Sequence, residues 1–221
     1  MSIKNYIKNK KTTHFTVNNI EVFVKDDVPA GVSVKNVILS LSERIPKHLM
    51  RNVESVYVGQ FSFLKDRDLQ ASYENSSIFV TNEQENETDM VDDVIHEVAH
   101  SIEELYTRYL YSDQKLATEF GRKRIQTFKL LKQAGYEVDR NLFLGLDYNK
   151  EMDEFLYTSV GYQALSTMTS NIFHSPYAST SLSEYFADGF EAFYVRDDIP
   201  KLKKISPELY KKVTGLLVEE E

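Results

Sequence analysis

An amphipathic pattern in the middle of the chain constrains its fold more than any other feature. Apolar residues recur from Val91 to Leu105 at spacings of three, four and seven positions, the period of a helix with one buried face. The apolar positions are Val91, Val94, Ile95, Val98, Ile102 and Leu105. They predict a helix over about residues 88–110, and the chain has a different character on each side of it.

The part before this helix shows the alternation of apolar and polar residues that is typical of strands. Phe15–Val17 and Ile20–Val24 flank Asn18 and Asn19, a pair that tolerates positive φ, so together they predict a β-hairpin. The other elements predicted here are strands over about 53–58 and 77–81, and a helix from the N-cap Ser33 to about Arg44.

Helices are predicted for almost everything that follows. The expected spans are about 113–134, 150–170, 181–196 and 206–218. The fold class is therefore α+β: an N-terminal mixed sheet with a helix, then the central helix and a helical C-terminal half. We expect a single domain over 1–221, with an α/β subdomain at 1–86 and a helical subdomain at 87–221.

Composition excludes several classes of protein. With 26 Lys and Arg against 34 Asp and Glu, the chain is acidic and lacks the clustered positive charge that nucleic-acid binding requires. The absence of cysteine excludes disulfides, a thiolate nucleophile and thiolate metal ligands. No apolar run approaches the roughly 18–20 residues of a membrane span.

The N-terminus is polar and rich in lysine over residues 1–11, which predicts a loose arm. No apolar segment follows this arm, so it does not resemble a secretory signal peptide. We expect a cytoplasmic protein, or one released without such a signal, as a secreted toxin or in a virus particle. The sequence does not determine the oligomeric state.

The central helix carries the sequence His96-Glu97-Val98-Ala99-His100, an H-E-x-x-H motif. His96 and His100 are one helical turn apart, so both imidazoles reach one ion on the same side of the helix. Glu97 is offset by about 100° on the helix, beside the metal, where it can accept a proton from a zinc-bound water. We therefore predict one Zn²⁺ per chain.

A catalytic zinc needs a third protein ligand. The metzincin pattern is excluded because positions 103 and 106 hold Glu and Tyr. Glu184 and Asp188 lie one turn apart on the predicted helix 181–196, so one can bind zinc while the other accepts the free N–H of a ligand histidine. The spacing alone leaves open which of the two binds zinc, and Glu191 and His174 are further candidates for the third ligand.

Glu184 also has a purely structural interpretation. Ser181-Leu182-Ser183-Glu184 is a capping box, in which a serine caps a helix and a glutamate three positions later reaches back to it. That role needs no metal. The H-E-x-x-H motif, which lacks a third ligand, favours the metal role.

These motifs resemble those of the anthrax lethal-factor-like metallopeptidases, the family of gluzincins that includes the Pro-Pro endopeptidases. The matching residues are His96-Glu97-Val98-Ala99-His100, Tyr177, and Glu184-Tyr185-Phe186-Ala187-Asp188. The resemblance implies His96, His100 and Glu184 as zinc ligands, which leaves Asp188 to accept the free N–H of a ligand histidine. It also implies Glu97 as the catalytic carboxylate, and a tyrosine facing the reaction centre seven residues before the glutamate. Tyr177 meets that spacing, and its hydroxyl would stabilise the oxyanion. The 84 positions between His100 and Glu184 suggest an insertion or lid near 107–148.

In peptidases of this kind, an edge strand just before the zinc helix binds substrate as an added strand. The expected strand residues are Ser77, Ile78, Phe79 and Val80, and His174 is expected to line the cleft. The leading hypothesis is a zinc endopeptidase that hydrolyses an extended peptide segment of a peptide or protein. A structural or toxin-delivery component with a docking role, and a non-peptidase zinc hydrolase, are the alternatives.

Overall fold

A computed structural model describes residues 13–195 and 198–218, so the arm predicted over 1–11 lies outside the described residues. The protein is α+β, with a five-stranded mixed sheet near the N-terminus followed by helices, as the sequence predicts. The chain divides into two compact units, Met1–Leu105 and Tyr106–Glu221. This division falls inside the central helix, whereas the sequence analysis places the subdomain boundary at 86/87.

The N-terminal unit contains the whole sheet. Its strands are β1 (Thr13–Val17), β2 (Ile20–Val24), β3 (Ser55–Val58), β4 (Ala71–Glu74) and β5 (Ser77–Val80). Their order is β1-β2-β3-β5-β4, with β2, β3 and β5 parallel to one another and each outer strand antiparallel to its neighbour. The helices of this unit are α1 (Val34–Arg44), the short α2 (Ser62–Asp66) and most of α3 (Glu87–Tyr111).

Turn chemistry explains the two hairpins. Asn18 and Asn19 have φ values of 51° and 70°, which confirms the turn predicted between β1 and β2. Asn75 and Ser76, with φ values of 49° and 60°, make the equivalent turn between β4 and β5. Positive φ at both central residues is the conformation of a two-residue hairpin turn.

The two faces of the sheet differ in chemistry. Val22, Val56 and Ile78 are buried in register on one face, where they contribute to the core. The other face carries a row of stacked rings, His14, Phe23, Tyr57 and Phe79, with neighbouring centroids 4.5, 4.9 and 5.1 Å apart. Helix α1 begins at the predicted cap, since the Ser33 side chain accepts a hydrogen bond from the Asn36 backbone N–H.

The C-terminal unit is helical. Its helices are α4 (Lys115–Gln133), α5 (Lys150–Glu154), α6 (Tyr162–Thr169), α7 (Leu182–Tyr194), α8 (Ile199–Ile205) and α9 (Pro207–Gly215). Short 3₁₀ turns cover Arg140–Phe143 and Tyr177–Ser179, and a π-helical segment covers Phe155–Val160. The described residues contain no helix with the length and hydropathy of a membrane span.

The predicted single helix over 150–170 is wrong. Gly161 has φ = +80°, a conformation that ends the π-helical segment and separates it from α6. Helix α8 was not predicted. At Gly189 the structure explains the residue type, because a Cβ atom there would collide with the Leu209 side chain, so glycine lets α7 and α9 approach closely.

Two consecutive cations of α4 are buried in the C-terminal unit. Lys123 is 6% exposed; its ammonium donates to the Ile172 carbonyl and to the Ser206 hydroxyl, and it lies over the rings of Phe173 and Tyr185. Burial lowers the pKa of Lys123 to about 8, against the opposing charges of Glu119 and Asp188. Arg124 is fully buried, and burial lowers its pKa to about 10.

The buried Lys123 predicts a specific pH dependence of stability. Because its pKa is about 8 in the folded chain and 10.5 ordinarily, the unfolded chain binds more protons between these values. Its contribution to the free energy of unfolding should therefore rise with pH from about 8 to about 10.5. Urea denaturation of the wild type and of Lys123→Met gives the free energy of unfolding of each protein across this pH range. The tyrosines that also titrate in this range contribute equally to both curves, so the difference between the curves reports Lys123. Parallel curves would contradict the assignment.

Candidate metal centre

Helix α3 positions the H-E-x-x-H motif. Its apolar stripe is buried from Val91 to Ile102, as predicted, whereas Leu105 is 42% exposed. The exception adjoins Tyr106, whose φ of −108° and ψ of 18° interrupt the helical geometry. With one side of the helix fixed in the core, His96 and His100 lie together on another side, half-buried, with their ring centroids 5.2 Å apart.

Glu97 lies between the two histidines in sequence but differs from them in burial. It is 8% exposed, which is rare for a carboxylate. Such an enclosed position shields a proton acceptor from competition with bulk water. Glu97 is therefore enclosed, whereas the two histidines of the motif are half-buried.

A carboxylate that sequence reasoning missed holds His100. The Nδ1 atom of His100 lies 2.9 Å from Oε2 of Glu103, and both side chains are mostly buried. With the proton on Nδ1 donated to Glu103, the Nε2 lone pair of His100 is the one available to a metal. The i,i+3 spacing of a glutamate after the second histidine was the available signal.

The next residue, Glu104, connects α3 to the outer strand of the sheet. The Tyr73 hydroxyl of β4 donates to Glu104 Oε2 at 2.7 Å, and Asn52 Nδ2 donates to the same oxygen at 2.8 Å. Asn52 also donates to the Tyr73 oxygen at 2.7 Å. The hydrogen bond from Tyr73 lowers the pKa of Glu104, while burial and Glu104 together raise that of Tyr73. This network fixes the turn of α3 that follows His100.

Glu184 occupies the first turn of α7. The Ser181 hydroxyl accepts a hydrogen bond from the Glu184 backbone N–H at 3.0 Å, which confirms Ser181 as the N-cap. That contact uses the backbone of Glu184 and not its carboxylate. This half of the capping box is therefore compatible with a ligand role for the carboxylate.

Three side chains of the described residues form a group of potential metal ligands. His96, His100 and Glu184 each offer one ligand atom, these atoms lie within 4.8 Å of one another, and all three residues are half-buried. Two imidazole nitrogens and a carboxylate oxygen are a ligand set found in catalytic zinc sites, where a fourth position stays open. The residues fit a zinc ion.

The remaining predicted residues of the site have mixed outcomes. Tyr177 is half-buried and opens the 3₁₀ turn that precedes α7. Asp188 is 3% exposed and its charge acts on Lys123; its proposed hydrogen bond to a ligand histidine stays a prediction. The His174 side chain is only 2% exposed, with Nδ1 3.9 Å from Asp198, so it offers almost no surface to a substrate.

The prediction that Ser77–Val80 is an edge strand is wrong. Strand β5 pairs with β3 on one side and with β4 on the other, so its backbone cannot accept a further strand. Ile78 and Val80 are also fully buried. The hairpin turn at Asn75 and Ser76 returns β4 to the outer position, and β4 was not predicted because four residues are too short a run to indicate a strand by themselves.

Comparison of the chain with models of protein families, with curated proteins and with solved structures gave no match in any of the three. The resemblance to lethal-factor-like metallopeptidases therefore rests on the motif residues and their spacing.

The contact between Glu103 and His100 predicts a loss of zinc affinity in Glu103→Ala. Without the carboxylate, the imidazole loses the partner that fixes its tautomer and orientation, so zinc affinity should fall by about 10–100-fold. Titration of the purified protein against a competing zinc chelator measures this change. Glu43→Ala is the matched control, because it removes an exposed carboxylate of another helix, α1, and should leave zinc affinity unchanged. Equal affinities in the two variants would contradict the assignment.

Proposed function

We propose that this protein is a zinc-dependent endopeptidase of the gluzincin type, acting on an extended segment of a peptide or protein. The observation that carries the proposal is the group His96, His100 and Glu184, with ligand atoms within 4.8 Å of one another and Glu97 enclosed beside the histidines. One zinc ion per chain would be held by these three residues. The spacing of seven residues between Tyr177 and Glu184 adds support.

A zinc ion with three protein ligands lowers the pKa of a water molecule to about 7 and polarises a carbonyl group. The residues of the chain supply the rest of the chemistry. Glu97 accepts a proton as the water oxygen bonds to the carbonyl carbon of the substrate. It then delivers that proton to the amide nitrogen as the C–N bond breaks, so the products are a carboxylic acid and an amine.

Tyr177 is assigned to the developing oxyanion. Its hydroxyl donates a hydrogen bond to the carbonyl oxygen, which becomes more negative as the carbon turns tetrahedral. A donor that is already in place stabilises this charge more than it stabilises the neutral carbonyl. Its position in the short turn before α7 links it through the chain to Glu184 and supports this role.

Replacement of Glu97 tests the chemistry. Glu97→Gln should retain the fold and zinc but lose turnover, because an amide cannot accept a proton at neutral pH. Elemental analysis for zinc and cleavage of an unbiased peptide library measure the two properties in the same preparation. Glu85→Gln, the same change at an exposed position, is the control and should match the wild type. Cleavage by Glu97→Gln at the wild-type rate would exclude the mechanism.

A pair of substitutions separates the ligand from the oxyanion donor. Glu184→Gln should lower zinc occupancy sharply, whereas a residue needed only for capping would tolerate glutamine. Tyr177→Phe should retain zinc while kcat falls by about 10²–10³-fold, because it removes a hydroxyl and no ligand. Zinc analysis and steady-state kinetics on both variants provide the readouts.

Full zinc occupancy in Glu184→Gln would contradict this assignment. The third ligand would then be sought among Asp188, Glu191 and His174. A chain without stoichiometric zinc, with unchanged thermal stability in chelator, would rule out the zinc site itself.

A further inference from the structure

Exposed apolar side chains concentrate in one segment of the C-terminal unit. Leu144, Tyr148 and Tyr157 are 54, 51 and 58% exposed. Single exposed apolar residues are ordinary, but a cluster of them on a soluble chain marks an interaction site. Tyr162 belongs to the same cluster, because its ring packs edge-on against Tyr157 with centroids 5.3 Å apart. We use the name tyrosine surface for Tyr148, Tyr157 and Tyr162, which ring contact and shared hydrogen bonds join, together with the exposed Leu144 of the same loop as Tyr148.

One carboxylate holds two of these tyrosines. The Tyr148 hydroxyl donates to Asp153 Oδ2 at 2.7 Å, and the Tyr162 hydroxyl donates to Asp153 Oδ1 at 2.9 Å. Both rings are thereby fixed, and both phenolic protons are committed. What these side chains offer to a partner is therefore mainly their ring surfaces.

The loop that carries Leu144 and Tyr148 is anchored from beneath by a buried cation. The guanidinium of Arg124 donates to the carbonyl of Gly145 at 2.9 Å and to that of Leu142. Its plane lies over the rings of Phe120 and Phe143, 5.5 and 5.7 Å from their centroids. Burying an arginine is costly. Here the buried guanidinium binds two carbonyls of the loop and so fixes its course.

The loop of the tyrosine surface is bonded to the helix that carries Glu184. The backbone N–H of Leu182 donates to the Leu146 carbonyl at 2.7 Å, which joins the loop to the first turn of α7, two residues before Glu184. The loop that carries Leu144 and Tyr148 is therefore held against the start of the helix that carries Glu184.

The negative charge of this segment restricts which peptides can bind the tyrosine surface. The segment from 144 to 157 carries the carboxylates of Asp147, Glu151, Asp153 and Glu154 against the single cation of Lys150. An acidic peptide would be repelled from this surface. Aromatic rings pack well against other rings, in offset or edge-to-face arrangements, and gain about 0.5–1.5 kcal/mol beyond the area that they bury.

We propose that the tyrosine surface is a substrate subsite that binds an aromatic side chain of a non-acidic peptide next to the bond to be cleaved. This assignment rests on the proposed peptidase function. It adds the chemistry of the preferred substrate and gives a recognition role to a segment outside the zinc motifs.

The proposed subsite is tested by measuring peptide binding and peptide cleavage separately. Zinc-loaded Glu97→Gln, as the full chain, is used to select peptides from a random library displayed on phage. The same selection is run with Leu144→Ala or Tyr157→Ala added in that background. Leu39→Ala, which truncates another exposed leucine on α1, is the matched control. Thermal melting shows whether each variant is folded, and both substitutions lie at exposed positions. Wild-type protein is incubated with the same library to measure zinc-dependent cleavage.

The expected result is enrichment of aromatic, non-acidic peptides by Glu97→Gln. That enrichment should fall by about 2–10-fold with Leu144→Ala and with Tyr157→Ala, and remain with Leu39→Ala. Zinc-dependent cleavage by the wild type with no aromatic enrichment, or with enrichment unchanged in both variants, would overturn the subsite and leave the proposed function standing. Absence of zinc-dependent cleavage by the wild type would overturn the proposed function and this substrate assignment with it.

Discussion

The burial of one side of α3 is the constraint on which the candidate site depends. Because the helix has 3.6 residues per turn, fixing Ile95, Val98 and Ile102 in the core determines the direction of every other side chain on it. His96 and His100 then share one side, and Glu103 continues the same row, where it contacts His100. One packing requirement therefore positions the two histidines of the proposed metal site and the carboxylate that contacts one of them.

The adjacent cations Lys123 and Arg124 each bind a different segment of the C-terminal unit. Lys123 binds the carbonyl of Ile172 in the segment that leads to Tyr177, whereas Arg124 binds the loop that leads to Tyr148. The cost of burying these two charges is offset chiefly by contacts with carbonyls and aromatic rings. Hydrophobic periodicity assigns basic residues of a helix to solvent, so neither role was visible in the sequence. Recognising them requires knowledge of the rings that α4 packs against.

Turns and helix caps were predictable from the sequence because few residue types suit their backbone geometry. Asn18 and Asn19 form the expected turn, and Ser33 and Ser181 cap the expected helices, because each depends on backbone geometry close in sequence. Strand order was not predictable in this way. The place of β4 outside β5 depends on the Asn75-Ser76 turn and on long-range pairing that a four-residue strand does not signal. The substrate strand assigned to β5 failed for that reason, while the histidine pair on α3 depends only on helical geometry.

The two interpretations of Glu184 are compatible physically, although the sequence presents them as competitors. The cap is made by the Glu184 backbone N–H and the Ser181 hydroxyl, and it fixes the first turn of α7. That fixed turn determines where the Glu184 side chain begins, which is what a ligand needs in order to meet a metal without a large loss of conformational entropy. An anionic side chain in a first turn is also favoured by the helix dipole. The cap at Glu184 therefore fixes the backbone from which the side chain of the proposed ligand extends, so the capping signature does not argue against a metal role.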